Sequence, residues 1–179
     1  MEHNIEEVRL LQTSMLLLTT TNFVQGSTLS RCLVLCFRLH QSADHQTNHT
    51  ASAILRQSIC QVCDRITVPT PPANTLIFHQ TDLSEYPADK LEVFALDGWK
   101  MFQDLCNFSS GDPANWLVGL NQAKVKKSFC LEMIENLLEQ YSQLFLNIPQ
   151  FNFLLKENVC NIVIKLFSPG QLLQNSLHV

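Results

Sequence analysis

Three consecutive segments of helical periodicity between Leu10 and Ile66 constrain the fold of this chain more than any other feature. Apolar residues recur at intervals of three and four in each segment, which is the spacing of one face of an α-helix. The connections between the segments are short and polar, so successive helices are expected to pack side by side. No catalytic motif lies in or near them. Stacked helices without recognisable chemistry predict a surface that binds other proteins.

The limits of these three helices follow from local signals. The first is expected over roughly Glu2–Thr20, and Ser27 or Thr28 is expected to cap the second, because a hydroxyl accepts from the free N–H groups of a first turn. The third starts near Thr50 and must end before Val68-Pro69, because proline disfavours helical geometry in the preceding residue. The inward face of the first helix is predicted to hold Val8, Leu10, Leu11, Met15, Leu17 and Leu18. That of the second is predicted to hold Leu29, Leu33, Cys36, Phe37 and His40, and that of the third Leu55, Ile59, Val62 and Ile66.

A proline-containing segment, 69–89, separates these helices from the rest and is interpreted as an extended surface loop. Leu76–Phe78 within it could pair as a short strand. Gly98 lies inside the next apolar stripe, where a glycine indicates the close approach of a neighbour. A helix is expected from Asp89 to the stop at Ser109-Ser110-Gly111, and a short one around Trp116 after the restart at Asp112-Pro113. A long helix is expected over 123–145, and its inward residues are Cys130, Ile134, Leu137, Tyr141 and Leu144. The last helix is expected over 151–167, and its inward residues are Leu155, Val159, Ile162 and Leu166.

Six or seven helices joined mostly by short turns predict an all-α fold, an armadillo- or HEAT-like array of antiparallel helices. A closed helical bundle is the alternative. The 179 residues suffice for one domain with a real core. Hydrophobic residues make up 46% and charged residues only 16%. Such a composition is typical of helical repeats, because each repeat buries a face on both of its neighbours.

Charge and targeting signals narrow the class of protein. The net charge of −4 argues against broad nucleic-acid binding, and the only basic cluster is Lys124, Lys126 and Lys127. The N-terminus is acidic where a signal peptide would be basic. Apolar runs such as Met15–Leu18 are far too short to span a bilayer. The chain is therefore expected to be cytosolic, with its seven cysteines reduced.

Cys60-Gln61-Val62-Cys63 is the motif most suggestive of chemistry, since two cysteines at this spacing can hold a metal or form a redox pair. No second ligand pair lies nearby in the sequence, and the motif falls inside a predicted helix rather than at a strand-to-helix turn. Cys60 and Cys63 are therefore interpreted as core thiols, and so are Cys32 and Cys36, one helical turn apart. Stoichiometric zinc would contradict this interpretation.

Other polar residues have ordinary interpretations. His40 is expected to hydrogen-bond the last carbonyls of its helix. Arg38 is expected at the surface, although a buried arginine that bonds carbonyls between repeats is the alternative. Acidic residues on the long helix predicted over 123–145 are interpreted as its solvated face, namely Glu132, Glu135 and Glu139. No catalytic, cofactor-binding or metal-binding residue is predicted, no cofactor is expected, and the chain is predicted not to be an enzyme.

Seven runs follow one another in a fixed order along the chain, namely Leu10–Thr13, Leu17–Thr20, Val34–His40, Phe102–Cys106, Trp116–Gly119, Phe153–Glu157 and Val163–Pro169. In this order they resemble the N-terminal region of the Mon-two family, named for monensin sensitivity and related to the large Sec-seven Arf exchange factors of the BIG type. The resemblance covers about Ile5 to Pro169 and fails over Val68–Leu91.

This resemblance implies a DCB region (dimerisation and cyclophilin binding) followed by the start of a HUS region. It divides the chain into DCB-like helices over 1–68, the loop 69–89, continued DCB-like helices over 90–146, the first HUS-like helix over 147–169 and a tail, 170–179. The chain is expected to be a fragment of a longer gene product, with apolar faces left exposed where the array is cut.

The resemblance also implies a non-catalytic scaffold module in endosome-to-Golgi and Golgi vesicle trafficking. Its implied partners are a Dopey-type protein, an Arf-like GTPase and a lipid flippase, with possible self-association. It implies a cytoplasmic protein recruited peripherally to trans-Golgi and endosome membranes. Membrane contact is expected to be indirect, because no helix combines a basic face with a bulky apolar one. The alternative is the regulatory N-terminus of an Arf exchange factor, with a catalytic Sec-seven domain downstream. The partner-binding residues are not predicted.

Overall fold

The computed structural model describes residues 2–20, 24–68 and 87–167. Over these ranges the chain forms α-helices with short helical turns and contains no β-strand, which confirms the predicted all-α fold. The predicted strand at Leu76–Phe78 lies outside the described residues. The helices are α1 (Glu2–Thr20), α2 (Gly26–Leu39), α3 (His45–Asp64), α4 (Val93–Ser110), α5 (Lys127–Gln140), α6 (Ser142–Asn147), α7 (Pro149–Leu154) and α8 (Cys160–Phe167).

The helices pack largely in chain order, as in a solenoid. Helices α1 and α2 both pack against α3, α3 packs against α4, and α4 packs against α5, α7 and α8. One continuous apolar core runs through this stack. The predicted stacking of helices is thus confirmed, while the assignment to the armadillo or HEAT class stays a prediction.

Aromatic side chains join the core across the stack. The ring centroid of Phe37 on α2 lies 6.3 Å from that of Phe108 on α4 and 6.0 Å from that of Phe129 on α5. Phe102 on α4 and Phe145 on α6 lie 4.7 Å apart. Aromatic pairs at such separations add to the stability gained from burial. Helices from both halves of the sequence therefore share one core.

Helix α2 is capped from another helix. The backbone N–H of Gly26 donates to Oδ2 of Asp97 on α4 at 2.7 Å, and no side chain of the N-cap residue takes part. The prediction that Ser27 or Thr28 caps α2 is wrong, since both lie inside the helix. The buried carboxylate of Asp97 performs this role because a negative charge complements the positive end of a helix.

Helix α3 begins at His45, several residues before the predicted start near Thr50. The reason is a local cap, because the carboxylate of Asp44 accepts from the backbone N–H of Thr47 at 2.8 Å. The helix ends at Asp64, before Val68-Pro69, as predicted.

The structural roles predicted for two glycines, Gly98 and Gly111, are confirmed. A Cβ atom on Gly98 would lie 2.6 Å from Cδ1 of Ile66, which confirms the close approach of a neighbour. Gly111 ends α4 with a φ of +87°, the left-handed conformation typical of a helix C-terminus.

The segment 112–126, here called the strap, links α4 to α5 without forming an α-helix. The predicted helix around Trp116 is wrong, since the strap holds only a 3-10 turn at Val118–Leu120. The cause is Asp104 on α4, which is fully buried and fixes an irregular backbone path. Its carboxylate accepts three consecutive backbone N–H groups, from Asn115 at 2.8 Å, Trp116 at 2.9 Å and Leu117 at 2.6 Å.

The strap also lies along α2. The Ser30 hydroxyl donates to the carbonyl of Trp116 at 2.9 Å, and Arg38 Nη2 donates to the carbonyl of Gly119 at 3.0 Å. Arg38 is exposed, as predicted, and yet bonds a carbonyl of another segment. The alternative interpretation, a buried arginine that bonds carbonyls, was therefore right about the carbonyl partner and wrong about the burial of Arg38.

The predicted long helix over 123–145 is wrong at both ends. Residues before Lys127 belong to the strap, and the helix breaks at Tyr141, so that α6 is separate. The Tyr141 hydroxyl lies 2.6 Å from Oδ1 of Asp64 and 3.0 Å from the carbonyl of Cys60, both on α3. This attachment to α3 fixes the chain at the point where α5 ends.

Candidate partner-binding surface

Helix α1 exposes apolar side chains away from its core stripe. Leu11 and Leu18 are buried, as predicted. Leu10 and Leu17 were predicted to widen the buried stripe, and this is wrong, because they are 48% and 44% exposed. Each lies about 100° around the helix from its buried neighbour. The exposed apolar residues of α1, here called the α1 face, are Ile5, Leu10, Leu16 and Leu17.

Threonine hydroxyls near the α1 face are satisfied within the helix. Thr13 donates to the carbonyl of Arg9 at 2.8 Å, and Thr20 donates to the carbonyl of Leu16 at 2.6 Å. Such back-bonding leaves fewer free donors on the outer side of the helix. Burying the α1 face therefore costs less desolvation of polar groups than its sequence suggests.

Helix α8 exposes a second apolar surface. Ile162 is buried, but Phe167 is 75% exposed and Leu166, predicted to face inward, is 43% exposed. The turn before α8, Leu155–Val159, is a π-helix. The inward prediction for Leu166 is wrong, because Ile162 is the buried residue of α8 and Leu166 lies one turn beyond it. The exposed apolar residues, here called the α8 face, are Val163, Ile164, Leu166 and Phe167.

All seven cysteines carry free thiols. Cys63 is buried and Cys60 half-buried in α3, and burial raises the pKa of both. A protonated thiol is a poor nucleophile and metal ligand. Across the ranges that the structure covers, no group of three or more His, Cys, Asp or Glu side chains is placed to hold a metal ion. Burial raises the pKa to about 12 at three more thiols, Cys36, Cys106 and Cys130.

His40 has an environment that the sequence did not suggest. Its ring packs on Phe129, with centroids 4.5 Å apart, and within the described ranges its two buried ring nitrogens have no hydrogen-bond partner. The predicted bond from its side chain to the last carbonyls of α2 is therefore wrong. The backbone carbonyl of His40 instead accepts from the side-chain amide of Asn48.

The stability of the chain is expected to fall on acidification because of His40. Burial lowers the pKa of His40, the positive charges of Lys126 and Arg56 add to this effect, and the backbone of Asn48 opposes it. The unfolded chain then binds the proton more readily, so stability present above about pH 6.5 is lost as the pH falls through the lowered pKa. Urea unfolding at pH 7.5 and 5.0 measures this loss. His40→Gln is expected to show a smaller loss than the wild type, and equal losses would contradict the prediction.

The acidic residues of α5 are exposed, as predicted. Glu132 also pairs with Arg56 on α3 through both of its carboxylate oxygens. Sequence reasoning missed Arg65, whose guanidinium donates to the carbonyls of Leu18 and Val24 at the end of α1 and the start of α2. It also missed Asp97 and Asp104. No local pattern marks these residues, because their partners are distant backbone groups.

The predicted basic cluster is exposed at the end of the strap. Lys124, Lys127 and Asp112 line an open cavity of about 310 Å³. No helix in the described ranges is both long and apolar enough to cross a membrane.

Two family profiles match the chain. The Mon2/Sec7/BIG1-like dimerisation and cyclophilin-binding domain (DCB) matches residues 1–70. The Mon2/Sec7/BIG1-like HUS domain matches residues 94–177. The HUS match thus begins at α4, earlier than the start at 147 predicted from the sequence.

Individual relatives agree with these profiles. The protein MON2 homolog of Homo sapiens is 40% identical over 174 residues, which are 95% of this chain and 10% of that protein. The Drosophila melanogaster homolog is 41% identical over 95% of the chain and 10% of its own length. Monensin-resistant homolog 2 of Caenorhabditis elegans is 33% identical over 94% of this chain and 10% of its own length. The chain therefore spans about 10% of the length of these relatives. No solved structure is significantly similar to it.

Proposed function

Because the chain belongs to the Mon2/Sec7/BIG1-like family, we propose that it is a non-catalytic scaffold module in Golgi and endosome-to-Golgi vesicle trafficking. It binds proteins through its helical surface and requires no cofactor. The observation that carries this proposal is the α1 face, a row of exposed apolar side chains inside the region that matches the DCB domain. Exposed apolar patches rimmed by polar residues are typical of protein interaction sites.

The description of the DCB domain names dimerisation, which supports self-association of this chain. We extend the proposal to a Dopey-type protein, an Arf-like GTPase and a lipid flippase, the partners implied by the resemblance to the Mon-two family. The proposed location is the cytoplasm, with peripheral recruitment to trans-Golgi and endosome membranes.

The regulatory N-terminus of an Arf exchange factor is the second candidate. It is favoured by the family descriptions, which include Sec7 and BIG1 along with Mon2. Relatives named MON2 at 40% and 41% identity favour the scaffold. Both candidates make the chain a binding module without a covalent step, and a downstream Sec-seven domain in the gene would support the second.

Affinity capture from cytosol with the tagged full chain tests the proposal. We expect mass spectrometry to recover a Dopey-type protein or an Arf-like GTPase. Leu16→Glu places a charge in the α1 face and is expected to reduce their recovery at least tenfold, a free-energy change of about 1.4 kcal/mol. Gln122→Glu, the same charge change at an exposed strap position, is the control and should leave recovery unchanged. Recovery of chaperones alone by the wild type would contradict the proposal.

A further inference from the structure

The strap, residues 112–126, is a long irregular segment that the fold holds in one conformation. Irregular connections of this length are uncommon and usually functional. Asp104 accepts three of its N–H groups. The side-chain amide of Asn121 also accepts from the N–H of Ala114 at 2.6 Å and donates to the carbonyl of Ala114 at 3.1 Å. Bonds at both ends of the strap keep its surface preformed, as binding sites usually are.

The strap borders the open cavity described above, together with α4 and the start of α5. The cavity volume of about 310 Å³ is at the lower end of the range of about 300–1,000 Å³ that ligand pockets span. This volume suits a single large side chain. Part of the lining is apolar, namely Phe108, Leu120 and Val125. An occupant with an apolar body therefore fits the cavity better than a bare inorganic anion does.

Positive charge dominates the cavity, although the net charge of the whole chain is −4. Among the described lining residues, Lys124 and Lys127 face a single carboxylate, that of Asp112. The Nζ atom of Lys127 lies 3.1 Å from the point that a Cβ atom on Gly111 would occupy. The absence of a side chain at this glycine thus leaves room for the amine beside the end of α4.

The positive end of α5 adds to this charge. Helix α5 begins at Lys127, its N-cap residue Lys126 makes no side-chain hydrogen bond to the first turn, and that turn holds no acidic residue. The first N–H groups of a helix favour a nearby negative charge. The backbone and the side chains at this place therefore favour the same kind of occupant.

From these observations we infer that the strap cavity binds an acidic segment of a partner protein, in which a carboxylate lies beside a large apolar side chain. The apolar side chain fills the cavity, and the carboxylate pairs with the amines of Lys124 and Lys127. This inference rests on the scaffold role proposed above and adds a contact separate from the α1 face. A flat anionic membrane fits less well, because it cannot enter a cavity and because Asp112 repels a broad negative surface.

An array of short peptides, probed with the full chain, tests this inference. Each peptide places one phenylalanine, tyrosine, tryptophan or leucine beside glutamates, and a second array carries glutamine in place of every glutamate. We expect the chain to bind the acidic array in preference. The dissociation constant of the strongest peptide, labelled with fluorescein, is then measured by fluorescence anisotropy. Replacing its apolar residue by glycine should weaken binding at least about tenfold, because the gain from burying that side chain is lost.

Variants of the chain locate the site. The double variant Lys124→Gln with Lys127→Gln is expected to weaken peptide binding at least tenfold, about 1.4 kcal/mol. Asp112→Asn is expected to strengthen it about threefold, because one exposed repelling charge is removed. The matched control is Lys90→Gln with Lys156→Gln, which removes the same charge from exposed positions outside the cavity and should bind like the wild type. Circular dichroism and urea unfolding check that each variant is folded.

Three results would overturn the inference: equal binding of the acidic and glutamine arrays, equal losses in the two double variants, or displacement of the peptide by an equal concentration of inorganic phosphate. Tighter binding to phosphatidylserine vesicles than to any peptide would also overturn it and would indicate a membrane-binding surface.

The test is independent of the capture experiment. Leu16→Glu, which is expected to reduce capture from cytosol, should bind the peptide as the wild type does. Gln122, the control position for capture, does not line the cavity. Loss of capture with normal peptide binding would thus count against the scaffold proposal alone, and the reverse result would count against the strap site alone.

Discussion

Asp104→Asn is expected to lower the free energy of unfolding by about 3 kcal/mol. The Asp104 carboxylate is fully buried and accepts the N–H groups of three consecutive strap residues, Asn115, Trp116 and Leu117. Hydrogen bonds to charged groups contribute about 1.5–3 kcal/mol each, and a buried donor without its partner costs about 1–3 kcal/mol. An amide retains one acceptor oxygen and directs a donor toward backbone N–H groups. Urea unfolding followed by circular dichroism measures the change.

Asp112→Asn removes the same charge from an exposed position on the strap. It should change the free energy of unfolding by no more than about 0.5 kcal/mol, as is usual for surface substitutions. The fluorescence of Trp116 should shift in Asp104→Asn and not in the control, because the strap loses its anchor. A loss below about 1 kcal/mol in Asp104→Asn would mean that the strap is held mainly by its contacts with α2.

Phe37→Ala is expected to cost about 3–5 kcal/mol of stability, the usual range for removal of a buried aromatic ring. Phe37 is 1% exposed, and its ring contacts Phe108 and Phe129, so its loss opens a cavity where α2, α4 and α5 meet. The loss should appear in both thermal and urea unfolding as a single transition, since the three helices share one core.

Phe167→Ala is the matched control, because the same ring is removed from a side chain that is 75% exposed. Its effect on the free energy of unfolding should stay within about 0.5 kcal/mol. Two separate unfolding transitions in Phe37→Ala, or a loss similar to that of the control, would contradict the shared core.

Sequence reasoning succeeded where the signal is local. The limits of α1, the stop at Gly111 and the end of α3 before Val68-Pro69 follow from periodicity or from the chemistry of neighbouring residues. The predicted start of α3 was several residues too late, although the residue that caps this helix, Asp44, was visible in the sequence.

The failures share a different cause. Asp97 caps a helix whose first residue is 71 positions away, and Asp104 prevents a helix at Trp116 that a good local start signal predicts. The break at Tyr141 depends on a hydroxyl that contacts α3. Tertiary hydrogen bonds override propensity in each case, and a single sequence gives no sign of them.

The candidate surface was predictable in kind but not in position. Stacked helices without chemistry indicated a binding protein, yet the exposed side of a helix depends on its rotation within the stack. Leu10 and Leu17 are as apolar as Leu11 and Leu18, so composition does not separate them. At α8, Ile162 is buried and Leu166, one turn beyond it, is exposed, a difference that their regular spacing conceals.

The cap that Asp97 provides for α2 has a consequence for the way this architecture is inherited. Gly26 lies in the part that matches the DCB domain and Asp97 in the part that matches the HUS domain, so a helix of one is completed by a carboxylate of the other. A recombination event between the two parts would separate a donor from its acceptor and leave a buried charge without its partner. A chain divided between the two parts would therefore lose this cap, although family descriptions treat the parts as separate domains.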